Sequence, residues 1–208
     1  MGKGGHGGGA AGAGHSHSEE YPEDSWNLWC HLESAEALNA TEASAMAVFK
    51  PFVRRLEPAG ALHSDGDEEL LVKVVFASPC SLRRLMVVGG GDTAKHPSRV
   101  KIFVGREDLD FQTIEDVRPD MESSLPVNLP GEAYLNVHPP ATFTNVTNVA
   151  FFFDANHGAT GDETVIQYIG MQGDHTHDVR QAVNATYEIM CQPHATETDL
   201  SIETPAGV

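Results

Sequence analysis

No two cysteines of this chain are close in sequence. The three, Cys30, Cys80 and Cys191, are scattered, and no C-x-x-C occurs. That excludes a dithiol redox motif and a zinc knuckle. Scattered thiols suit a reducing compartment, where a free cysteine packs as a small apolar group. Basic residues are scarce as well: 13 Lys and Arg stand against 30 Asp and Glu, for a net charge of -17. Such a surface repels phosphate backbones and anionic lipid, so neither nucleic acid nor a membrane surface is expected as a partner. No apolar run reaches the roughly 18 residues of a membrane span. The Gly-rich start lacks the apolar h-region of a secretory signal. Met1-Gly2 opens like a myristoylation signal, but His6 stands where Ser or Thr is required. No G-x-S-x-G elbow is present, and no Cys–His pair is signalled. The chain is therefore not expected to be an enzyme, and it has no catalytic residues to name.

What is present fits one domain with two tails. The 208 residues are 40% hydrophobic and include nine Phe, enough to fill a core. Residues 1–20 are mostly Gly, Ala, His and Ser. Such a segment buries too little apolar area to offset its ordering entropy, so it is expected to be disordered on its own. The folded domain is expected over 21–192, and 193–208 reads as a flexible tail.

Short runs rich in Val, Ile, Leu and Phe predict strands over 70–76, 82–88, 99–104, 132–137, 149–154, 164–171 and 184–190. Turn punctuation separates them, at Ser78-Pro79, Gly89 to Asp92, Pro139-Pro140 and His157-Gly158. Arg99-Val100-Lys101-Ile102 alternates polar and apolar, as a strand with one wet face does. Phe151-Phe152-Phe153 is apolar on both faces, which predicts a central strand covered on both sides. One short N-terminal helix is expected over the Ala-rich Ser34 to Ala47, capped by Ser34 and followed by Lys50-Pro51. No 10- to 15-residue helices alternate with the strands. The pattern predicts an all-β fold, an antiparallel β-sandwich or jelly roll rather than a parallel α/β sheet.

Two motifs tempt and fail. Gly89 to Ala94 satisfies G-x-G-x-x-A after a strand, with Asp110 about where a ribose-binding acid would lie. Yet His96-Pro97 stops any helix within a turn, so the phosphate has no helix N-terminus to bind. Asp174-His175-Thr176-His177-Asp178 offers two imidazoles on one face of an extended segment, but no third zinc ligand is identifiable. No cofactor and no metal are expected. Trp26 and Trp29 read as packing residues, with a partner anchor as the alternative.

The densest signal is acidic. Asp65-Gly66-Asp67-Glu68-Glu69 places four carboxylates in five residues, directly before a strand. The EF-hand pattern fails, because Leu70 and Phe76 occupy its Gly and Glu positions. What remains is a solvated turn whose Asp bonds nearby amides, a cation site or a partner-facing patch.

This turn belongs to an ordered set of motifs. Val48-Phe49-Lys50-Pro51 precedes it, and His96-Pro97-Ser98, Lys101-Ile102-Phe103 and Leu109-Asp110-Phe111 follow. Phe151 to Phe153, Asn156, Gly158 and Tyr168-Ile169-Gly170 complete the set. In that order they resemble the PITH domain, the proteasome-interacting module known from thioredoxin-linked proteins. Gly66 departs from the Ala common in the family, and the match is thin around Asp120 to Tyr134.

The resemblance implies a jelly roll similar to galactose-binding-like domains. It implies a non-catalytic adaptor whose partner is a protein assembly, with the regulatory particle of the 26S proteasome first in line. It implies no redox chemistry, since the chain resembles the stand-alone members. Lys50, Asp65, Asp67, Glu68 and Glu69 occupy family-motif positions and are the candidate partner-binding residues. The expected location is the cytoplasm, with the nucleus as an addition. The alternative roles are a structural subunit of a large stable assembly, cytoskeletal or ciliary, and a small-ligand or carbohydrate-binding jelly roll.

Overall fold

Among the described residues eight antiparallel strands form the fold, seven of them arranged about one long one. The structure is a computed structural model, and it describes residues 25–41, 44–158 and 162–175. The strands are β1 (Leu32–Leu38), β2 (Leu62–His63), β3 (Leu70–Gly89), β4 (Arg99–Val104), β5 (Met121–Ser124), β6 (Leu135–Asn136), β7 (Val146–Phe153) and β8 (Val165–His175). The segments expected at 1–20, 184–190 and 193–208 lie outside the described residues.

β3 holds 20 residues and works in two halves. Leu70 to Val75 pair with β7 on one side and β1 on the other. Cys80 to Gly89 pair with β8, and Arg84 and Leu85 also pair with β6. Ser78-Pro79 is therefore not a turn between two strands, as the sequence implied. Proline has no N–H to give the ladder, so pairing lapses, the register shifts between Val75 and Cys80, and the strand bends and continues. The bend carries the chain from one layer, β1-β3-β7-β4-β5, to the other, β2-β8-β3-β6. The result is a jelly-roll β-sandwich.

Period-2 alternation fills the space between the layers. Leu70, Val72, Val74 and Phe76 of β3 meet Val149, Phe151 and Phe153 of β7, with Leu85, Val87, Ile166 and Ile169 from the facing layer. The Phe run is covered on both sides as expected. Phe152 points outward and packs with Leu71, Phe103, Leu109 and Ile114, because the loop after β4 folds over that face. Burying each such ring is worth roughly 1.5–3 kcal/mol. On the outside of the other layer, Trp26 packs with Met86, Val88 and Tyr168, and Phe52 closes over them. At Gly173 of β8 a side chain has no room, because a Cβ would fall 1.9 Å from the Ser81 carbonyl oxygen.

The helix expected over Ser34 to Ala47 is corrected. Its first half is β1, paired from Leu38↔Leu71 back to Ser34↔Val75, and only Ala45–Val48 forms a single 3-10 turn. Helix propensity of alanine is a fraction of a kcal/mol per residue. Here Ala35 and Ala37 pack against the core while Glu33 and Glu36 face water, which a strand on the open edge of β3 allows. Asn39, at φ +58°, ends the strand.

Candidate interaction site

The acidic turn is a knot tied by three strand ends. Asn39, just past β1, donates from Nδ2 to Asp67 Oδ1 at 2.7 Å and to the Glu69 carbonyl at 2.7 Å. Asp67 Oδ1 also accepts from the Glu69 N–H at 3.0 Å. Ser64, just past β2, donates from Oγ to the Asp67 carbonyl and accepts from the Thr164 N–H at 2.7 Å. Thr164, just before β8, donates from Oγ1 to the Glu68 carbonyl at 2.7 Å. Four of these six bonds use a side chain to hold turn backbone, so this is a specific loop and not a loose acidic tract.

The four carboxylates consequently do different things. Asp67 is consumed inside the turn. Asp65 is exposed at its tip, and Glu68 is half-buried beside it. Glu69 points toward the outer face of the β1-β3-β7-β4-β5 layer. Burial pushes its carboxyl above the usual range, and the negative charges of Asp67, Asp154, Glu68 and Glu115 add to that. Lys50 lies elsewhere. It is buried, and its ammonium donates to the Glu57 carbonyl at 2.7 Å and the Ala59 carbonyl at 3.2 Å. Burial lowers its pKa, while nearby Glu57 raises it in part. Its role in the structure is to close the loop after Pro51.

Glu69 forms one wall of an open basin of about 600 Å³ on that outer face. Phe111 and Phe152 meet edge to face at 6.0 Å on its floor. Arg99 and Lys101, the wet-face residues of β4, reach across it to Asp154. Arg99 Nε donates to Asp154 Oδ1 at 2.6 Å, its second nitrogen to Oδ2 at 2.9 Å, and Lys101 Nζ lies 2.8 Å from Oδ2. Burial raises the Asp154 carboxyl, but the bonds and charges of Arg99 and Lys101 outweigh it and hold it below the usual range. An ionised carboxylate shared by two cations is an ion-pair node and has no proton to give at neutral pH. Arg118, Glu115, Asp116 and Glu122 line the rim. The basin offers both signs of charge over an aromatic floor.

The sequence profile of the PITH domain matches residues 17–191. The chain belongs to the PITH domain family. Its relatives include a PITH domain-containing protein of Drosophila melanogaster, 34% identical over 70% of this chain and 67% of that one. Another, from Schizosaccharomyces pombe, is 32% identical over 84% of each chain. PITH domain-containing protein 1 of Homo sapiens is 31% identical over 86% of this chain and 91% of that one. Solved structures of similar shape include the CBM32-3 module from a family 31 glycoside hydrolase of Clostridium perfringens. Its TM-score is 0.49 at 12% identity, over 71% of this chain and 94% of that one.

Within the PITH domain the rejected motifs acquire other roles. Gly89 ends β3 under the ring of His96, where a Cβ would fall 2.2 Å from Cγ. Asp92 caps a single 3-10 turn, Thr93–Lys95, by accepting from the Ala94 N–H at 3.0 Å, and no longer helix follows. His175 stacks on His31 at 3.7 Å, and His177 lies outside the described residues. Among the described residues, no group of three or more His, Cys, Asp or Glu could hold a metal ion. Sequence reading missed the basin residues Arg99, Lys101, Arg118 and Asp154. The alternation Arg99-Val100-Lys101 was a signal for the first two; Asp154 and Arg118 carried none.

Proposed function

We propose that this PITH domain is a non-catalytic adaptor that docks on the regulatory particle of the 26S proteasome. Family membership carries the reading, since proteasome docking is what the PITH resemblance implies. The site chemistry supports it: Asp67 of the turn is spent on bonds within the turn, and Arg99, Lys101 and Asp154 of the basin on ion pairs. The net charge of -17 supports an interaction with basic surface on a large assembly, by speeding encounter more than by adding affinity. On this reading Asp65 and Glu68 face the partner, Asp67 and Lys50 hold the loops that present it, and Glu69 joins the turn to the basin. The protein then works in the cytoplasm and nucleus. The test is co-sedimentation of the full chain with purified 26S particles at low and moderate salt. Co-sedimentation that weakens with salt supports the reading, and a chain that stays in the supernatant at both salts removes it.

A further inference from the structure

Exposed apolar side chains are concentrated on one face. Among the described residues six large hydrophobics are exposed, and five of them, Val53, Leu56, Val127, Leu129 and Tyr134, lie on two loops. Arg55 clips these loops together, donating from Nε to the Gly131 carbonyl at 2.9 Å and from a terminal nitrogen to the Pro130 carbonyl at 3.5 Å.

The second loop is inside out. Asn128 is 3% exposed, while Val127 and Leu129 on either side are 40% and 58% exposed. The Asn128 amide donates to the Val87 carbonyl at 3.0 Å and the Ala133 carbonyl at 2.9 Å. Its oxygen accepts from the N–H groups of Glu132 and Ala133, both at 3.0 Å. Four hydrogen bonds thus fix a polar residue inside and hold its apolar neighbours in water. Beneath them Trp26 stacks on Phe52 at 6.2 Å and meets Tyr134 edge-on at 6.0 Å. A rigid loop that exposes apolar side chains fits a protein contact better than a core. Trp, Tyr and Arg are also the residues that dominate binding energy.

The charge of this face runs against that of the chain. Arg54, Arg55 and Arg84 surround it, against Glu57 and Glu132. Arg55 lies over the Phe52 ring at 4.0 Å and Arg84 over the Tyr134 ring at 4.8 Å. Arg54 pairs with Glu57 at 2.8 Å.

We propose that this two-loop face docks an acidic segment of a partner protein. The segment's apolar side chains seat against Val53, Leu129 and Tyr134, and its carboxylates meet Arg84, which lies over the Tyr134 ring. The inference rests on the protein-interaction reading above and assigns that reading a face and a partner chemistry.

The experiment is a methyl NMR titration of the full chain with two short amphipathic probe peptides, one of Leu and Glu and one of Leu and Lys. The Leu/Glu peptide should shift the methyls of Val53, Leu56, Val127 and Leu129 saturably. Leu129→Asp, at an exposed position, should weaken that binding about tenfold with unchanged thermal stability. Arg84→Ala should weaken it less. Equal response to the Leu/Lys peptide, shifts located elsewhere, or no shifts would overturn the proposal. So would flotation of the chain with phosphatidylserine vesicles that Leu129→Asp abolishes, since the face would then be a lipid surface. Shifts at this face without 26S co-sedimentation would leave the inference and remove the proteasome reading. Co-sedimentation unaffected by Leu129→Asp would do the reverse.

Discussion

The side-chain amide of Asn39 bridges the acidic turn, 2.7 Å from Asp67 Oδ1 and 2.7 Å from the Glu69 carbonyl oxygen. One residue after β1 thereby sets the shape of a loop that starts some 25 positions later. The carboxylates at Asp65 and Glu68 owe their positions to it.

Asn39→Ala should therefore lower stability by about 1–3 kcal/mol, the usual cost of leaving partly buried polar groups unpaired. Asn39→Gly should keep the positive φ but lose the same bonds, so it recovers only part of the loss. Urea unfolding followed by circular dichroism reads both. Equal midpoints for Asn39→Ala and the native protein would refute the bridging role.

Asp154 neutralises two cations of the basin, with its side chain only 7% exposed. Asp154→Ala should cost about 1–3 kcal/mol, discounted from the full value of a buried pair because Arg99 and Lys101 keep contact with water. Asp154→Asn should fall between. The loss should shrink in the Asp154→Ala/Arg99→Ala double variant, since one stranded charge is gone.

His96 is buried, and among the described residues neither ring nitrogen has a hydrogen-bond partner. Burial lowers its pKa, His157 lowers it further, and Asp92 raises it in part. A depressed base binds fewer protons folded than unfolded. Below pH of about 6.5 the unfolded chain takes up a proton that the native state refuses, so stability falls with pH from there until the folded pKa is passed. Unfolding midpoints at pH 7.5 and pH 5.5 should differ, and His96→Leu should remove part of that difference. An unchanged pH dependence in the variant would show that other groups carry it.

The two described cysteines should separate chemically. Cys80 is buried, and desolvation, helped by Cys30, pushes its thiol up to about 11. Cys30 is exposed. Iodoacetamide at pH 8 should label Cys30 quickly and Cys80 only on unfolding, as read by peptide mass spectrometry. Labelling at equal rates would contradict the buried placement.

The jelly roll was legible because its strands alternate or, at Phe151 to Phe153, run apolar throughout. The family was legible because its motifs kept their order. What misled was local. The alanines of residues 34–47 favour a helix in isolation, and only the open edge of β3, set by distant residues, makes them a strand. Ser78-Pro79 has the composition of a turn, yet long pairing on both sides keeps β3 continuous through it. The acidic turn was visible, but its internal division of labour was not. Nothing in the sequence distinguishes Asp67, bonded inward, from Asp65, two residues away at the tip. Lys50 read as a candidate partner-binding residue because it occupies a family-motif position, whereas here two carbonyls hold it inside. The apolar loop face escaped notice because its residues come from two segments some 75 positions apart, joined by Arg55.

The most direct measurement is co-sedimentation of three full-length proteins with purified 26S particles at matched salt: the native chain, Asp65→Lys/Glu68→Lys, and Leu129→Asp. The account predicts that the native chain travels with the particles and that both variants, folded by thermal melt, are depleted from them. A native chain that remains in the supernatant while the particles pellet would contradict it.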